Sequence, residues 1–165
     1  MLSNKNIINR NLLNKKITIL FFFIIYFIIG NVVVNDYGIP FDEDYQRIIA
    51  QNRLDYITNF FSNIFLLSND ALKNEVEIMW PEYGVAFELP ALWLEKVVGF
   101  SDTRSQSFFK HYLIFLVSFI GSIFFYFIAL KKFNSWKLAL LGTLFLVSSP
   151  RIFAESFYNS KDIIF

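Results

Sequence analysis

The chain has 165 residues, enough for one globular domain, but 55% of them are hydrophobic and 22 are Phe. This composition exceeds that of soluble domains of similar size and indicates a membrane protein. The net charge of +1, with no basic cluster outside the N-terminus, argues against a nucleic-acid partner. The absence of cysteine excludes disulfides and thiolate metal sites.

Three apolar runs are predicted to form membrane-spanning helices, at residues 17–34, 112–130 and 136–149. About 20 residues cross the hydrocarbon of a bilayer, so the first two runs are long enough. The third is short and carries Lys137 near its start. It spans only if that lysine snorkels or the bilayer thins locally. No small-x-small cleavage site follows the first run, which is therefore predicted to be an uncleaved anchor rather than a signal peptide.

The placement of charge orients these runs. Basic residues without any accompanying acid precede the first run and occupy the link between the second and third: Lys5, Arg10, Lys15, Lys16, Lys131, Lys132 and Lys137. The positive-inside rule therefore puts the N-terminus in the cytoplasm. Four segments result: a cytoplasmic N-terminus with the first span (1–34), an outer loop (35–111), the second and third spans (112–149) and an outer tail (150–165).

The first part of the outer loop is predicted to form an amphipathic helix in the membrane interface. Polar residues occupy one side of this helix, and apolar residues at helical spacing occupy the other. The apolar residues are Ile57, Phe60, Phe61, Ile64 and Phe65. Asn69 and Asp70 mark its expected end.

A second stretch of the loop, at residues 79–100, carries aromatic side chains that suit the headgroup region of a bilayer. They are Trp80, Tyr83, Phe87 and Trp93. Pro90 should either bend this stretch or start a new helix.

Three carboxylates, Asp42, Glu43 and Asp44, follow the first span in the sequence FDEDYQ. One interpretation is purely structural, because acids in the first turn of a helix interact favourably with its dipole and its free N–H groups. Taken alone, these three residues favour that interpretation.

The tail favours a functional interpretation instead. If the tail is helical, one face carries four polar side chains at i, i+3, i+4 and i+7. They are Glu155, Tyr158, Asn159 and Asp162. Arg151 and Lys161 nearby could hold a phosphate. Two acidic groups that the topology brings to one membrane surface indicate a functional site.

The stretches GIPFDEDYQRI, YGVAFELPALWLEKVVGF and SPRIFAESFYNSKDIIF occur in this order around the predicted spans. Together they resemble the N-terminal part of membrane glycosyltransferases of the GT-C superfold. The resemblance is to the family 39 type, which includes protein O-mannosyltransferases and aminoarabinose transferases. It implies an all-α membrane protein with many more helices, so we expect this chain to be an N-terminal fragment that is inactive alone.

The resemblance also implies a chemistry. Such enzymes transfer a sugar from a polyprenyl-phosphate donor to an acceptor on the outer side of the membrane, typically with inversion. An acid in the first outer loop acts as the base on the acceptor hydroxyl. By this pattern Asp42 is the expected base, Glu43 is its pair, and Asp162 is the second acidic position, with Glu155 the next best match. The expected location is the bacterial inner membrane.

The remaining candidates are predicted to bind the substrate. They are Gln46, Arg151, Glu155, Tyr158, Asn159 and Lys161. A divalent cation between Asp42, Glu43 and Asp162 is an open alternative, because Mg²⁺ and Mn²⁺ take oxygen ligands. The expected partners are membrane lipid, the polyprenyl-phosphate sugar donor and a lipid, glycan or protein acceptor.

A non-enzymatic membrane protein, such as a transporter fragment or an assembly subunit, is the alternative function. It would explain the helices and the interfacial loop without using the acids. A transporter places polar groups at mid-membrane depth, where the second run offers only Ser118 and Ser122. The sequence therefore favours the enzyme.

Overall fold

The computed structural model describes residues 2–66 and 85–160, and the side chains within 13–61 and 85–160. All regular structure in these ranges is helical, which confirms the all-α prediction. Six α-helices follow in order: α1 Leu2–Val33, α2 Phe41–Leu66, α3 Glu88–Val98, α4 Thr103–Phe133, α5 Trp136–Ser148 and α6 Pro150–Tyr158. A short 3₁₀-helix, Val34–Asp36, extends α1.

The chain divides into two compact units. The first unit is Met1–Gly38 with His111–Phe165, and the second is Ile39–Lys110. The boundary between them falls within α4, so its first two turns belong to the second unit.

Two helices of the structure are long and apolar enough to cross a membrane. They are Leu13–Asp36, with 24 residues, and Thr103–Phe133, with 31. At about 1.5 Å per residue both exceed the roughly 30 Å of a bilayer's hydrocarbon. The first two predicted spans are therefore confirmed as helices of spanning length and composition.

In the first unit α1 and α4 pack antiparallel through their aromatic side chains. The ring centroids of Phe23 and Tyr126 lie 6.0 Å apart, and those of Phe27 and Phe119 lie 5.2 Å apart. Phe27 follows Phe23 in α1, whereas its partner Phe119 precedes Tyr126 in α4, so the two helices run in opposite directions. Apolar side chains gain little by leaving lipid, so packing and aromatic geometry hold such a pair together.

Gly30 is a point of close contact between α1 and α4. A Cβ atom at Gly30 would overlap the ring of Phe115, which is fully buried. Gly121 of α4 has no such neighbour among the described residues. A Cβ at Gly121 would meet nothing within 4 Å, while Ser122 donates a hydrogen bond to Phe119 O of its own helix, at 2.6 Å.

The third predicted span is a shorter helix followed by a bend. α5 has 13 residues, about 20 Å at 1.5 Å per residue, and meets α6 at 65°. Pro150 is the first residue of α6, where its missing N–H costs no helical hydrogen bond. The two helices together pass as one broken span, so the structure has two or three spans among its described residues.

α5 nevertheless packs along the two long helices of the first unit, α1 and α4. Ala139 near its start packs in a cluster with Phe23 and Tyr126. Val147 near its end packs in a cluster with Val34 and Phe115. α5 is therefore parallel to α1, and α6 begins beside the C-terminal end of α1. This arrangement agrees with the predicted order of crossings, while the side of the membrane that each end faces stays a prediction.

The second unit is built from α2, α3 and the start of α4. α2 is one helix of 26 residues, and it exposes Ile57, Phe60 and Phe61. The predicted helix is thus confirmed as a helix, while its amphipathic character and its place in the membrane interface stay predictions. The side chains of Ile64 and Phe65 and the predicted end at Asn69 and Asp70 lie outside the described residues.

α3 packs against α2. It begins two residues before Pro90, so the proline lies in the first turn, where its missing N–H costs no helical hydrogen bond. This confirms the expectation of a new helix at that point. Gly99 ends α3 in the left-handed conformation (φ 81°) and donates its N–H to Glu95 O, at 3.0 Å. Trp93 is exposed, whereas Trp80 and Tyr83 lie outside the described residues.

Candidate functional site

The acidic triplet occupies the first turn of α2. Asp42 and Asp44 are exposed, whereas Glu43 is only 4% exposed. Helical periodicity explains this difference, since Glu43 shares the buried face of α2 with Arg47 and Ala50, at i, i+4 and i+7. The three carboxylates are therefore not equivalent.

Glu43 belongs to a group of charged side chains that line one small cavity in the second unit. This group, the buried ionic cluster, consists of Glu43, Arg47, Glu88, Glu95 and Lys110. It brings together three carboxylates and two cations from α2, α3 and the start of α4. Apolar walls such as Leu92 keep water away and so strengthen the interactions between these charges.

Two ion pairs organise the buried ionic cluster. Arg47 pairs with Glu95 and so joins α2 to α3. Lys110 Nζ lies 2.9 Å from Glu88 Oε2 and donates a second hydrogen bond to Gln46 Oε1 at 3.1 Å. Gln46, a predicted substrate-binding residue, therefore contacts the first turns of α4.

The cavity inside the cluster has a volume of about 20 Å³. That is room for one water, which needs at least roughly 10–15 Å³, and far too little for a sugar. Glu43 is thus placed to hold the start of α2 in position. Asp42 and Asp44, on either side of it, are exposed to an external substrate, and of the two Asp42 is the base that the resemblance predicts.

Arg151 and Glu155, two of the predicted residues of the tail, pair with each other on α6. Arg151 Nε lies 2.9 Å from Glu155 Oε1, at i, i+4, and the arginine side chain is 79% exposed. The pair is therefore a surface contact that solvent screens.

The tail does not form one continuous helical face. α6 ends at Tyr158, and Asn159 is extended, with φ −101° and ψ 91°. The predicted face of Glu155, Tyr158, Asn159 and Asp162 is therefore interrupted at Asn159. Because an extended residue ends the regular 3.6-residue period, the side chains beyond it need not share a face with those before it.

Tyr158 instead lies against Tyr37, with ring centroids 5.7 Å apart. Burial, and to a smaller extent the neighbouring Tyr158, raises the pKa of Tyr37 above its ordinary value. Phe157 beside it is fully buried and stacks on both Tyr37 and Phe115, at 4.8 and 5.3 Å. α6 is thus anchored to the C-terminal end of α1.

Lys161 and Asp162 lie outside the described residues, as does any metal site that includes Asp162. Within the parts of the chain that the structure describes, no three acidic or histidine side chains are grouped to hold a metal ion. Asp42 and Glu43 belong to the second unit, and Arg151 and Glu155 to the first. That topology brings them to one surface stays a prediction.

Sequence reasoning missed most of the buried ionic cluster, including Arg47, Glu88, Glu95 and Lys110. Two signals within single helices were available. Glu43 and Arg47 are four residues apart, and Glu88 and Glu95 are seven apart, so each pair shares a helix face. Nothing in the sequence indicates that Lys110 meets Glu88.

The residues that carry the resemblance to GT-C glycosyltransferases thus fall into three sets: an exposed carboxylate on a firmly held helix start, a surface ion pair on α6, and the positions beyond Ser160. A comparison of the chain with protein-family models, curated proteins and solved structures found no match, so the resemblance stays a prediction.

Proposed function

We propose that this chain contributes the base-bearing part of a membrane glycosyltransferase. The enzyme transfers a sugar from a polyprenyl-phosphate donor to an acceptor hydroxyl on the outer side of the membrane. The observation that carries the proposal is the contrast between Asp42, exposed at the start of α2, and Glu43, buried beside it.

A general base has to be ionised, accessible and held at a fixed position. Asp42 is exposed and lies in the first turn of α2. The neighbouring Glu43 ties that turn to the buried ionic cluster. Asp42 therefore lies next to a buried residue of the same turn and is itself exposed.

The purely structural interpretation of the triplet accounts for Asp44 but not for Glu43. Acids that only stabilise a helix start remain in water, because burying a carboxylate is costly unless cations and hydrogen bonds compensate. Here Glu43 lines the same small cavity as Arg47 and Lys110, the two cations that pair with Glu95 and Glu88. In some proteins such buried ionic groups serve to fix one arrangement rather than to add stability, and at Glu43 the fixed element is the turn that carries Asp42.

The departing polyprenyl phosphate needs a cation to stabilise its charge. Arg151 is the described candidate, since its guanidinium is exposed and its ion pair with Glu155 is a surface pair. An ion pair of this kind contributes only about 0.3–0.5 kcal/mol to stability. The Arg151 guanidinium can therefore leave Glu155 and form two parallel hydrogen bonds with a phosphate.

The lipid-linked sugar pool of the cell tests this proposal without knowledge of the acceptor. Cells that lack the gene should accumulate a polyprenyl-phosphate sugar, because its consumer is missing, and mass spectrometry of extracted lipids measures this. The complete gene product should restore the pool, whereas the same product with Asp42→Asn should not. An unchanged pool in cells that lack the gene would contradict the proposal.

A further inference from the structure

α1 and α4 leave a long groove between them in the first unit. Its volume is about 670 Å³, within the roughly 300–1,000 Å³ of typical ligand sites. Bulky apolar side chains form its walls, among them Leu20, Ile24, Ile123 and Phe127. The groove belongs to the first unit, and the acidic triplet belongs to the second.

The groove has charge at one end only. Lys15 and Lys16 lie at the N-terminal end of α1 and line the groove together with Leu130 near the end of α4. From there the walls are apolar as far as Phe27 and Phe119. An occupant therefore needs an anionic group at one end and a hydrocarbon body.

The length of the groove matches one leaflet of a bilayer. Lys15 and Phe27 are twelve residues apart, which is about 18 Å along a helix at 1.5 Å per residue. Half of a bilayer's hydrocarbon is roughly 15 Å thick. The lysines then lie at headgroup level, and the apolar walls extend to about the bilayer midplane.

The walls do not suit a second transmembrane helix. The groove lacks the small residues that let helix backbones approach closely, and four of its aromatic side chains already pack α1 against α4. A packed helix would also contact α1 along its full span, whereas the groove stops near the middle. A flexible acyl chain fills such a half-length, irregular space.

We propose that this groove binds one anionic phospholipid from the leaflet at the lysine end, with its phosphate on Lys15 and Lys16 and an acyl chain between α1 and α4. The two ammonium groups complement the phosphate of a lipid whose headgroup carries no positive charge of its own. The site is independent of the proposed transferase activity, because it rests on charge, length and wall chemistry alone.

Lipid retention tests the site. The complete protein is placed in nanodiscs of phosphatidylcholine with a minor share of phosphatidylglycerol of identical acyl chains. Mass spectrometry then measures the lipids that survive detergent exchange. We expect the retained lipids to be enriched several-fold in phosphatidylglycerol relative to the nanodisc. In the double variant Lys15→Gln, Lys16→Gln, the retained lipids should have the same phosphatidylglycerol fraction as the nanodisc. No enrichment in the unchanged protein would overturn the proposal.

Two further variants separate this site from general attraction to a basic surface. Lys131→Gln with Lys132→Gln removes the same charge next to Leu130 but outside the groove lining, and should preserve most of the enrichment. Ile24→Trp fills the groove without changing charge, and should abolish the enrichment. An equal loss with the Lys131 and Lys132 variant, or full retention with Ile24→Trp, would each contradict a groove-bound lipid.

A photo-crosslinker tests the identity of the occupant. Benzoylphenylalanine in place of Phe127, an exposed residue of the groove wall, should give lipid adducts in native membranes. Adducts to a second protein helix, or to another copy of this chain, would show that protein covers the groove and would refute the lipid site.

Discussion

Lys110 and Glu88 form an ion pair from which water is nearly excluded. Their charged atoms lie 2.9 Å apart, and the two side chains are only 8% and 10% exposed. Removing one partner of such a pair leaves an uncompensated buried charge, which costs about 3–5 kcal/mol. We therefore expect Lys110→Met to lower the free energy of unfolding by about that amount, as measured by denaturant unfolding in detergent micelles.

Two comparisons make that measurement specific. Lys110→Met combined with Glu88→Leu should recover most of the loss, since an apolar pair of similar volume often replaces a buried ion pair without cost. Arg151→Met breaks the exposed pair with Glu155 and should cost well under 1 kcal/mol. Equal losses for Lys110→Met and Arg151→Met would mean that Lys110 is effectively solvated.

Gly30 should be the glycine of the first unit that tolerates substitution least. Gly30→Ala forces a methyl group into the ring of Phe115, and overpacking of this kind typically costs about 1–3 kcal/mol. Gly121→Ala is the matched control, because it adds the same methyl to a helix where nothing lies within 4 Å. Gly121→Ala should be neutral or stabilising, as glycine is a poor helix former. Thermal unfolding of the two variants in the same detergent decides the order, and a Gly30→Ala protein as stable as Gly121→Ala would contradict the close contact.

The start of α4 should loosen in acid. Asp102 Oδ2 accepts a hydrogen bond from the Ser105 N–H at 2.8 Å. This bond, assisted by the Ser105 side chain, holds the pKa of Asp102 below its ordinary value. A carboxyl with a depressed pKa stabilises the folded state above its ordinary pKa, near 4. That contribution is lost as the pH falls through the lower value of the folded chain.

Hydrogen exchange of the first turn of α4 measures this effect. Protection of these amides, corrected for intrinsic rates, should fall between pH 5 and pH 2 in the unchanged chain. Asp102→Asn keeps a side chain that caps helices well but does not titrate, so its protection should not vary with pH in that range. The same acid-induced loss in Asp102→Asn would assign the effect to another group.

The sequence predicts the long helices well, because each depends on a continuous apolar run or on local spacing. α1, α2 and α4 all lie where the runs and the helical pattern place them. The buried ionic cluster depends instead on contacts such as Lys110 with Gln46, which are 64 residues apart. A single sequence carries no local signal for such pairs. The break between α5 and α6 lies where Pro150 predicts it, because proline is a local signal. The end of α6 before Asn159 was missed, and no local signal in the sequence marks it.

The predicted orientation can be tested by single-cysteine labelling, since the chain contains no cysteine. Ser101→Cys and Ser135→Cys are nearly isosteric changes on either side of α4. In intact cells, an impermeant maleimide should label Cys at 101, in the predicted outer loop. Cys at 135 should react only after lysis. The reverse pattern would invert the assignment made from the lysines.

A third probe addresses the bent pair α5 and α6. Arg151 is largely exposed at the start of α6, so Arg151→Cys should react in intact cells if α5 and α6 complete a third crossing. Protection until lysis would show that the pair re-enters and leaves on the side from which it came.

The central claim, that Asp42 acts as the general base, is tested most directly by sugar turnover of three variants of the complete protein at matched expression. General base catalysis is typically worth 10²–10⁴-fold, so Asp42→Asn should lower turnover by about that factor while leaving the fold intact. Asp44→Asn, which alters only an exposed acid of the same helix turn, should stay within a few-fold of the unchanged protein. Glu43→Gln should fall between them, because Glu43 holds the turn rather than the proton. Full turnover with Asp42→Asn, whether or not Asp44→Asn is inactive, would contradict the claim.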